Sequence, residues 1–125
     1  MKSQDYTILI ANAVFELIMG LVSIAFPEVL VQILYPSDRM LYRSLGVGCI
    51  AMSGLSILMM RFSESQGLRE AGCYVLLYYH AGLAISNAMD PMGISTSMLI
   101  ASPHGLFTIA FIAMIIGIRR KNRNS

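Results

Sequence analysis

Four apolar stretches, separated by short polar breaks, account for most of the chain. Each is close to the roughly 20 residues that a helix needs to cross about 30 Å of hydrocarbon. The pattern therefore predicts transmembrane helices at residues 7–26, 40–60, 69–88 and 98–118. The predicted fold is all-α, a polytopic four-transmembrane-helix bundle that forms one domain over residues 1–125.

The breaks between these stretches carry residues that end or begin helices. Segment 27–36 is apolar but too short to cross, and prolines at both ends limit a helix there, so we expect a short interfacial segment. Ser37 and Asp38 offer an N-cap for the second span, and residues 63–67 form a polar turn before the third. Pro103 lies inside the fourth stretch, where it either kinks the helix or begins a new one.

Composition identifies lipid as the surrounding solvent. Hydrophobic residues make up 56% of the chain and charged residues 13%, against roughly a quarter charged in soluble domains. These values exclude a soluble domain and a disordered tail. Four of the nine basic residues fall within the last seven positions, directly after an apolar stretch. Such a cluster is typical of a cytoplasmic membrane flank and can attract anionic lipid, and no nucleic-acid partner is predicted.

The distribution of Lys and Arg predicts the orientation. With a cytoplasmic N-terminus, seven basic flanking residues lie inside and two lie outside. The inner set is Lys2, Arg61, Arg69, Arg119, Arg120, Lys121 and Arg123, and the outer set is Arg39 and Arg43. We therefore expect a multi-pass protein of the inner (plasma) membrane with both termini in the cytoplasm.

Small residues at helical spacing predict where the spans pack closely. Ser44 and Gly48 are four positions apart on the second span, and the third span carries the pairs Gly82/Ser86 and Ala84/Ala88. Such pairs let helix backbones approach each other in lipid. They are consistent with contacts within the chain or with a homo-oligomer.

Glu16 is an ionisable residue near the centre of the first span. A charge at that depth costs at least a few kcal/mol and normally faces the bundle interior. Asn12, Glu16, Gly20 and Ser23 fall within about 80° on a helical wheel, which predicts one polar face. Glu16 is either a proton-carrying or ligand-binding group, or a structural carboxyl hydrogen-bonded to a neighbouring helix, and both interpretations stay open.

Two histidines extend this polar region to other spans. His80 and Asn87 share one face of the third span at seven-residue spacing, and His104 lies on the fourth. At about 1.5 Å per residue, Glu16 lies roughly 15 Å, His80 roughly 12 Å and His104 roughly 9 Å below the outer edge. We hypothesise one outward-opening ligand or proton pocket formed by Glu16, His80, His104, Asn12 and Asn87.

Arg43 and Asp90 fall at the outer ends of the second and third spans, where they could pair across the mouth of this pocket. The alternative is an interfacial ion pair or a contact with a lipid head group. Glu16 and the two histidines come from three separate spans and form no diagnostic metal-binding motif. We therefore predict neither a metal site nor a catalytic residue.

The layout of spans, the interfacial segment and one sequence run resemble a known group of proteins. Residues 41–48 read Leu-Tyr-Arg-Ser-Leu-Gly-Val-Gly, and with the four-span layout they resemble the small four-helix bacterial membrane proteins grouped as DoxX-like. The chain also resembles the four-helix scaffold protein of fungal ergosterol biosynthesis, with Arg-Ser-Leu-Gly opening span two and a histidine in span three. The DoxX-like resemblance implies a fold, and some members are tied to quinone or thiol redox chemistry. It carries over no catalytic residue.

Two functions follow as hypotheses. The first is a non-enzymatic membrane subunit or scaffold that holds a membrane protein partner or a lipid-like ligand, since 125 residues leave almost no extramembrane domain. The second is a proton-coupled or quinone-linked redox or transport role that uses Glu16 and His80. No cofactor is predicted, although a quinone or another lipid-like ligand fits the second hypothesis.

Overall fold

A computed structural model describes residues 1–33, 39–89 and 94–123. Within these ranges the chain is α-helical apart from short connections, and no strand occurs, which confirms the all-α prediction. The helices are α1 (Ser3–Ala25), α2 (Pro27–Ile33), α3 (Arg39–Arg61), α4 (Gln66–Ala88) and α5 (Ile94–Arg123). Ser37, Asp38 and the loop residue Asp90 lie outside the described residues.

Local sequence explains where several helices begin and end. The Asp5 carboxylate accepts a hydrogen bond of 2.9 Å from the Lys2 backbone N–H at the start of α1. α1 ends at Ala25 because the residue before a proline is biased away from helical conformation, and Pro27 then occupies the first position of α2. Ser65 caps α4, with its hydroxyl accepting from the Leu68 N–H at 3.4 Å.

Three of these helices are long and apolar enough to cross a membrane: Ser3–Ala25, Arg39–Arg61 and Ala101–Lys121. They correspond to the first, second and fourth predicted spans, each within a few residues at either end. α4 has the same length as α1 but falls short in hydropathy, because it contains three tyrosines, a histidine and an asparagine. The structure therefore supports a membrane protein with three such helices, and the third predicted span, at residues 69–88, stays a prediction.

Contacts between residues divide the chain into two units, Met1–Arg61 and Phe62–Ser125. The first contains α1 and α3, which pack along each other, with α2 against both. The second contains α4 and α5 packed along each other. We call α1 with α3 the first hairpin and α4 with α5 the second hairpin. The single-domain organisation expected from the sequence stays a prediction.

The first hairpin is held together at a glycine crossing. A Cβ atom built on Gly20 would lie 2.8 Å from the Gly46 carbonyl oxygen, and one on Gly46 would lie 2.8 Å from the Gly20 carbonyl oxygen. Real Cβ atoms essentially never come so close to backbone, so only glycine fits at either position. Gly20 and Gly46 thus bring the α1 and α3 backbones together, as small residues do in membranes.

This crossing differs from the small-residue pairs predicted from the sequence. A Cβ built on Gly48 or on Gly82 would meet nothing within 4 Å, so neither glycine mediates close packing in its hairpin. The physical reason is rotational: Gly46 shares the buried face of α3 with Ser53 and Ser56, whereas Gly48 is two positions further on and turned away from it.

The second hairpin contains Pro103 inside a continuous helix. α5 runs from Ile94 to Arg123 without a break, so Pro103 does not begin a new helix. Proline has no N–H to donate to the carbonyl four residues earlier, a loss that neighbouring groups commonly offset in transmembrane helices. Phe111, Met114 and Ile118 form the buried apolar face of α5 below that point.

Candidate functional site

The polar stripe predicted on α1 faces α3 in the first hairpin. The Asn12 side-chain amide donates a 2.9 Å hydrogen bond to the Ser56 hydroxyl. One turn along, the Ser53 hydroxyl donates a 2.8 Å hydrogen bond to the Ala13 carbonyl. The contacts join residues 44 and 40 positions apart, and both are buried. Asn12 therefore links two helices, and its membership of the predicted pocket stays a prediction.

Glu16 occupies the middle of the same stripe and is completely buried, with 0% of its surface exposed. Asn12, one turn before it, and Gly20, one turn after it, are buried as well. A carboxyl group in such a place is costly when ionised and unpartnered, so it is normally either hydrogen-bonded or neutral. The burial predicted for Glu16 is confirmed, and its role stays a prediction.

The second hairpin places two ring nitrogens in direct contact. His80 lies on α4 and His104 on α5, and their Nδ1 atoms are 2.8 Å apart. Both side chains are buried, with 0% and 7% of their surface exposed. At this distance one Nδ1 carries a hydrogen and donates it to the other, so at least one ring has no proton on Nδ1. The sequence placed these histidines at similar depth, without indicating which atoms meet.

Aromatic rings enclose this histidine pair. His80 stacks on Phe107, with centroids 4.9 Å apart and planes 30° apart, and on Phe111, at 5.7 Å and 17°. Tyr79 directs a ring edge toward both imidazoles, at 5.2 Å from His80 and 6.2 Å from His104. The spacing of His104, Phe107 and Phe111 puts them on one face of α5. These contacts fix the imidazole planes in a surrounding of low polarity.

The backbone around His104 is also tied to the helix. The Thr108 hydroxyl donates a 2.8 Å hydrogen bond to the His104 carbonyl. The Thr108 hydroxyl hydrogen is therefore bonded within α5. The same pattern holds for Asn87, a member of the predicted pocket, whose amide donates to the Leu83 carbonyl at 2.7 Å. Within the second hairpin, Asn87 therefore bonds to its own helix.

The histidine pair by itself does not make a metal centre. Zinc sites use three or four protein ligands, and this pair supplies two nitrogen atoms, which are already close enough to share a hydrogen bond. In the second hairpin the flanking rings of Phe107 and Phe111 offer no ligand atom. The absence of a metal site at His80 and His104 stays a prediction.

The predicted pocket mouth is described only in part. Arg43 is exposed near the start of α3, as expected for a residue at the end of a span. Its proposed partner, Asp90, lies outside the described residues, so the pairing stays a prediction. The inclusion of Glu16 in one pocket with His80 and His104 also stays a prediction.

A second polar cluster, which the sequence did not reveal, lies toward the far end of the second hairpin. Arg119 makes a salt bridge with Glu70, with Nε 3.4 Å from Oε1, and its guanidinium carbon lies 5.6 Å from the centre of the Tyr74 ring. Arg119 is 62% exposed, so the pair contributes little stability. The sequence identified Arg119 only as a topology signal because its partner lies 49 positions away.

No family model, curated protein or solved structure matches this chain.

Proposed function

We propose that this chain is a small, non-enzymatic integral membrane protein that holds a membrane protein partner or a lipid-like ligand through the outer faces of its helices. The observation that supports this proposal is that polar side chains face the neighbouring helix whereas large apolar side chains face outward. In the first hairpin, Asn12 and Ser53 turn their polar groups toward the neighbouring helix. The outward-facing positions carry large apolar side chains instead.

These outward positions form stripes along the apolar helices. On α1 the exposed residues recur every three or four positions, as do those on α5. The α1 stripe is Ile10, Val14, Ile18 and Leu21, and the α5 stripe is Leu106, Ile109, Ile112 and Ile116. Surfaces of this kind are covered by lipid or by another apolar helix. Recognition by helix faces is the mode of binding that these stripes offer.

The test is isolation of the protein with its native membrane surroundings. We would extract the tagged protein in polymer-bounded native nanodiscs and identify bound proteins and lipids by mass spectrometry. Leu106→Ala and Ile109→Ala shorten the α5 stripe without touching the histidine pair, and we expect them to reduce capture of the partner or ligand. Glu16→Gln is the matched control and should leave capture unchanged. A bound set that does not respond to the α5 variants would contradict the proposal.

The second candidate is a proton-coupled or quinone-linked role. One observation favours it: two buried imidazoles share a hydrogen bond inside aromatic walls. An imidazole ring can accept a proton on one nitrogen and release a proton from the other. Under this proposal Glu16→Gln and His80→Ala abolish proton-coupled activity or quinone binding. If neither variant changes anything except protein abundance, the polar groups are structural and this candidate fails.

The predicted partnership of Glu16 with the histidines can be tested by a double-mutant cycle. Glu16→Gln, His104→Asn and the double variant would be compared in thermal stability. A coupling of about 0.5 kcal/mol or more supports a common site, because independent distant sites add within that range. Strict additivity would remove Glu16 from the pocket.

Topology is proposed on charge alone. We propose the inner membrane, four spans and cytoplasmic termini, as the count of basic residues favours. Reporter fusions at the C-terminus and in the loop at Asp90 test this arrangement. A C-terminal signal on the outer side of the membrane would overturn it. The resemblance to DoxX-like proteins likewise stays a prediction.

A further inference from the structure

The hydrogen bond between His80 and His104 joins equivalent atoms of the two rings. Each neutral imidazole carries one hydrogen on either Nδ1 or Nε2. Since the two Nδ1 atoms share one hydrogen, one ring is the Nδ1–H tautomer and has an acceptor at Nε2. The other ring accepts at Nδ1 and has its hydrogen on Nε2. The pair is therefore asymmetric, with an acceptor at one outer nitrogen and a donor at the other.

We infer that His80 and His104 form a two-ring proton relay. This inference rests on the proton-coupled candidate function and gives it a route. A proton binds to the Nε2 lone pair of the first ring. The Nδ1 proton of that ring then passes along the hydrogen bond to Nδ1 of the second ring. The second ring releases its Nε2 proton to the next acceptor, a water molecule or a carboxylate.

The relay step conserves protons, electrons and charge. One proton is taken up and one is released, and no electron is transferred. Both rings are neutral before and after the passage, so no net charge remains in the buried site. What changes is the tautomer of each ring, because the shared hydrogen now belongs to the other Nδ1 atom.

The surroundings of the pair suit this task. Proton transfer needs donor and acceptor held at hydrogen-bond distance, and 2.8 Å between the Nδ1 atoms meets that condition. Phe107 and Phe111 stack on His80 and limit tilting of its ring. The titratable side chain in ring contact with the pair is Tyr79. The Glu70–Arg119 ion pair lies ten positions from His80 along α4, or about 15 Å at 1.5 Å per residue.

The exchange of tautomers determines the direction in which the next proton can pass. After one passage the rings are poised to carry a proton backwards. A second proton can follow in the first direction only after both rings rotate, and the stacked phenylalanines oppose rotation of His80. Rotation of the rings therefore limits the rate of repeated one-way passage.

Nuclear magnetic resonance can test the hydrogen bond directly in the wild-type protein. The chain has two histidines, so protein labelled with ¹⁵N only at histidine gives signals from this pair alone. The relay predicts scalar coupling between the two Nδ1 nuclei and exchange between the two tautomeric arrangements. Two Nε2–H rings without that coupling would overturn it. This measurement needs no variant, so it is insensitive to misfolding.

Proton movement is measured in proteoliposomes with a pH-sensitive dye trapped inside and a potassium diffusion potential as driving force. We expect the wild-type rate to exceed that of empty vesicles. His80→Gln and His104→Gln should each lower the protein-dependent rate by about 100-fold, a typical contribution of one positioned proton-transfer group. Tyr78→Phe is the control, because Tyr78 is 72% exposed on α4 and its rate should not change.

The outcomes separate the relay from the function on which it rests. A wild-type rate equal to that of empty vesicles overturns the relay, and so does a His80→Gln protein that conducts normally. Loss of quinone binding or of proton-coupled activity in His80→Ala would then still support the proton-coupled function. Normal activity in His80→Ala would contradict both the relay and the proton-coupled function.

Discussion

The glycine crossing of the first hairpin predicts a large difference between two substitutions on the same helix. In Gly46→Ala the new methyl group would lie 2.8 Å from the Gly20 carbonyl oxygen and 2.9 Å from the Ser23 Cβ atom. In Gly48→Ala it would meet nothing within 4 Å. The two changes are chemically identical and two residues apart, so Gly48→Ala is a matched control.

The magnitude follows from the distances. Restoring ordinary contact at 3.4 Å requires α1 and α3 to separate by about 0.6 Å. A rigid shift of that size would stretch the 2.9 Å bond between Asn12 and Ser56 beyond the usual limit of about 3.2 Å. Overpacking of this kind costs about 1–3 kcal/mol, against a gain of at most about 1 kcal/mol from replacing a helical glycine. We expect Gly46→Ala to be destabilised by about 1–2 kcal/mol and Gly48→Ala to be neutral or slightly stabilised.

The assay uses a buried thiol as the reporter of unfolding. Cys49 lies on the buried face of α3, and a maleimide dye that fluoresces on reaction reports its exposure during a denaturant titration. A Cys73→Ala background confines the signal to the first hairpin. Equal unfolding midpoints for Gly46→Ala and Gly48→Ala would refute the crossing. A Gly20→Ala variant should reproduce the Gly46→Ala result, because the close approach is reciprocal.

Three further predictions concern single contacts, each read from the same thiol assay. Asn12→Ala removes the bond to Ser56, and we expect a loss of about 0.6 kcal/mol, typical of interhelical hydrogen bonds in membranes; a loss above about 2 kcal/mol would point to a larger network. Phe111→Ala creates a cavity at a fully buried position and should lower the free energy of unfolding by about 3 kcal/mol or more. Cys73 is the reporter for this variant, and a change below about 1 kcal/mol would contradict the packing. Arg119→Ala should cost at most about 0.5 kcal/mol because the Arg119 side chain of the pair is 62% exposed, and high salt should abolish the effect.

The helices were largely predictable because the length of an apolar run is a strong signal in a membrane protein. The first two spans and the short interfacial helix follow from runs of apolar residues bounded by prolines and charges. The third span is harder to recognise, since tyrosines and a histidine lower the hydropathy of α4. Pro103 could not be assigned because proline is compatible with both the start and the interior of a transmembrane helix.

The contacts between helices were harder to predict. Small residues can face either lipid or a neighbouring helix, so Gly48 was indistinguishable from Gly46 as a packing position. A better signal was available in the positions of Gly46, Ser53 and Ser56, which recur at seven and three residues and mark one face. The histidine pair was beyond sequence reasoning in its detail, because the choice of Nδ1 over Nε2 depends on ring orientation.

The polar bonds across the first hairpin also bear on how the chain enters the membrane. During synthesis α1 emerges first, and its Asn12 and Glu16 face lipid until α3, which ends 36 residues later, becomes available. At about 5–20 residues per second this delay lasts about 2–7 seconds. Because lipid satisfies neither polar group, α1 alone is a poor substrate for release into the bilayer. We therefore expect the insertion machinery to retain α1 until α3 has been synthesised, and to release the two helices into the bilayer as a pair.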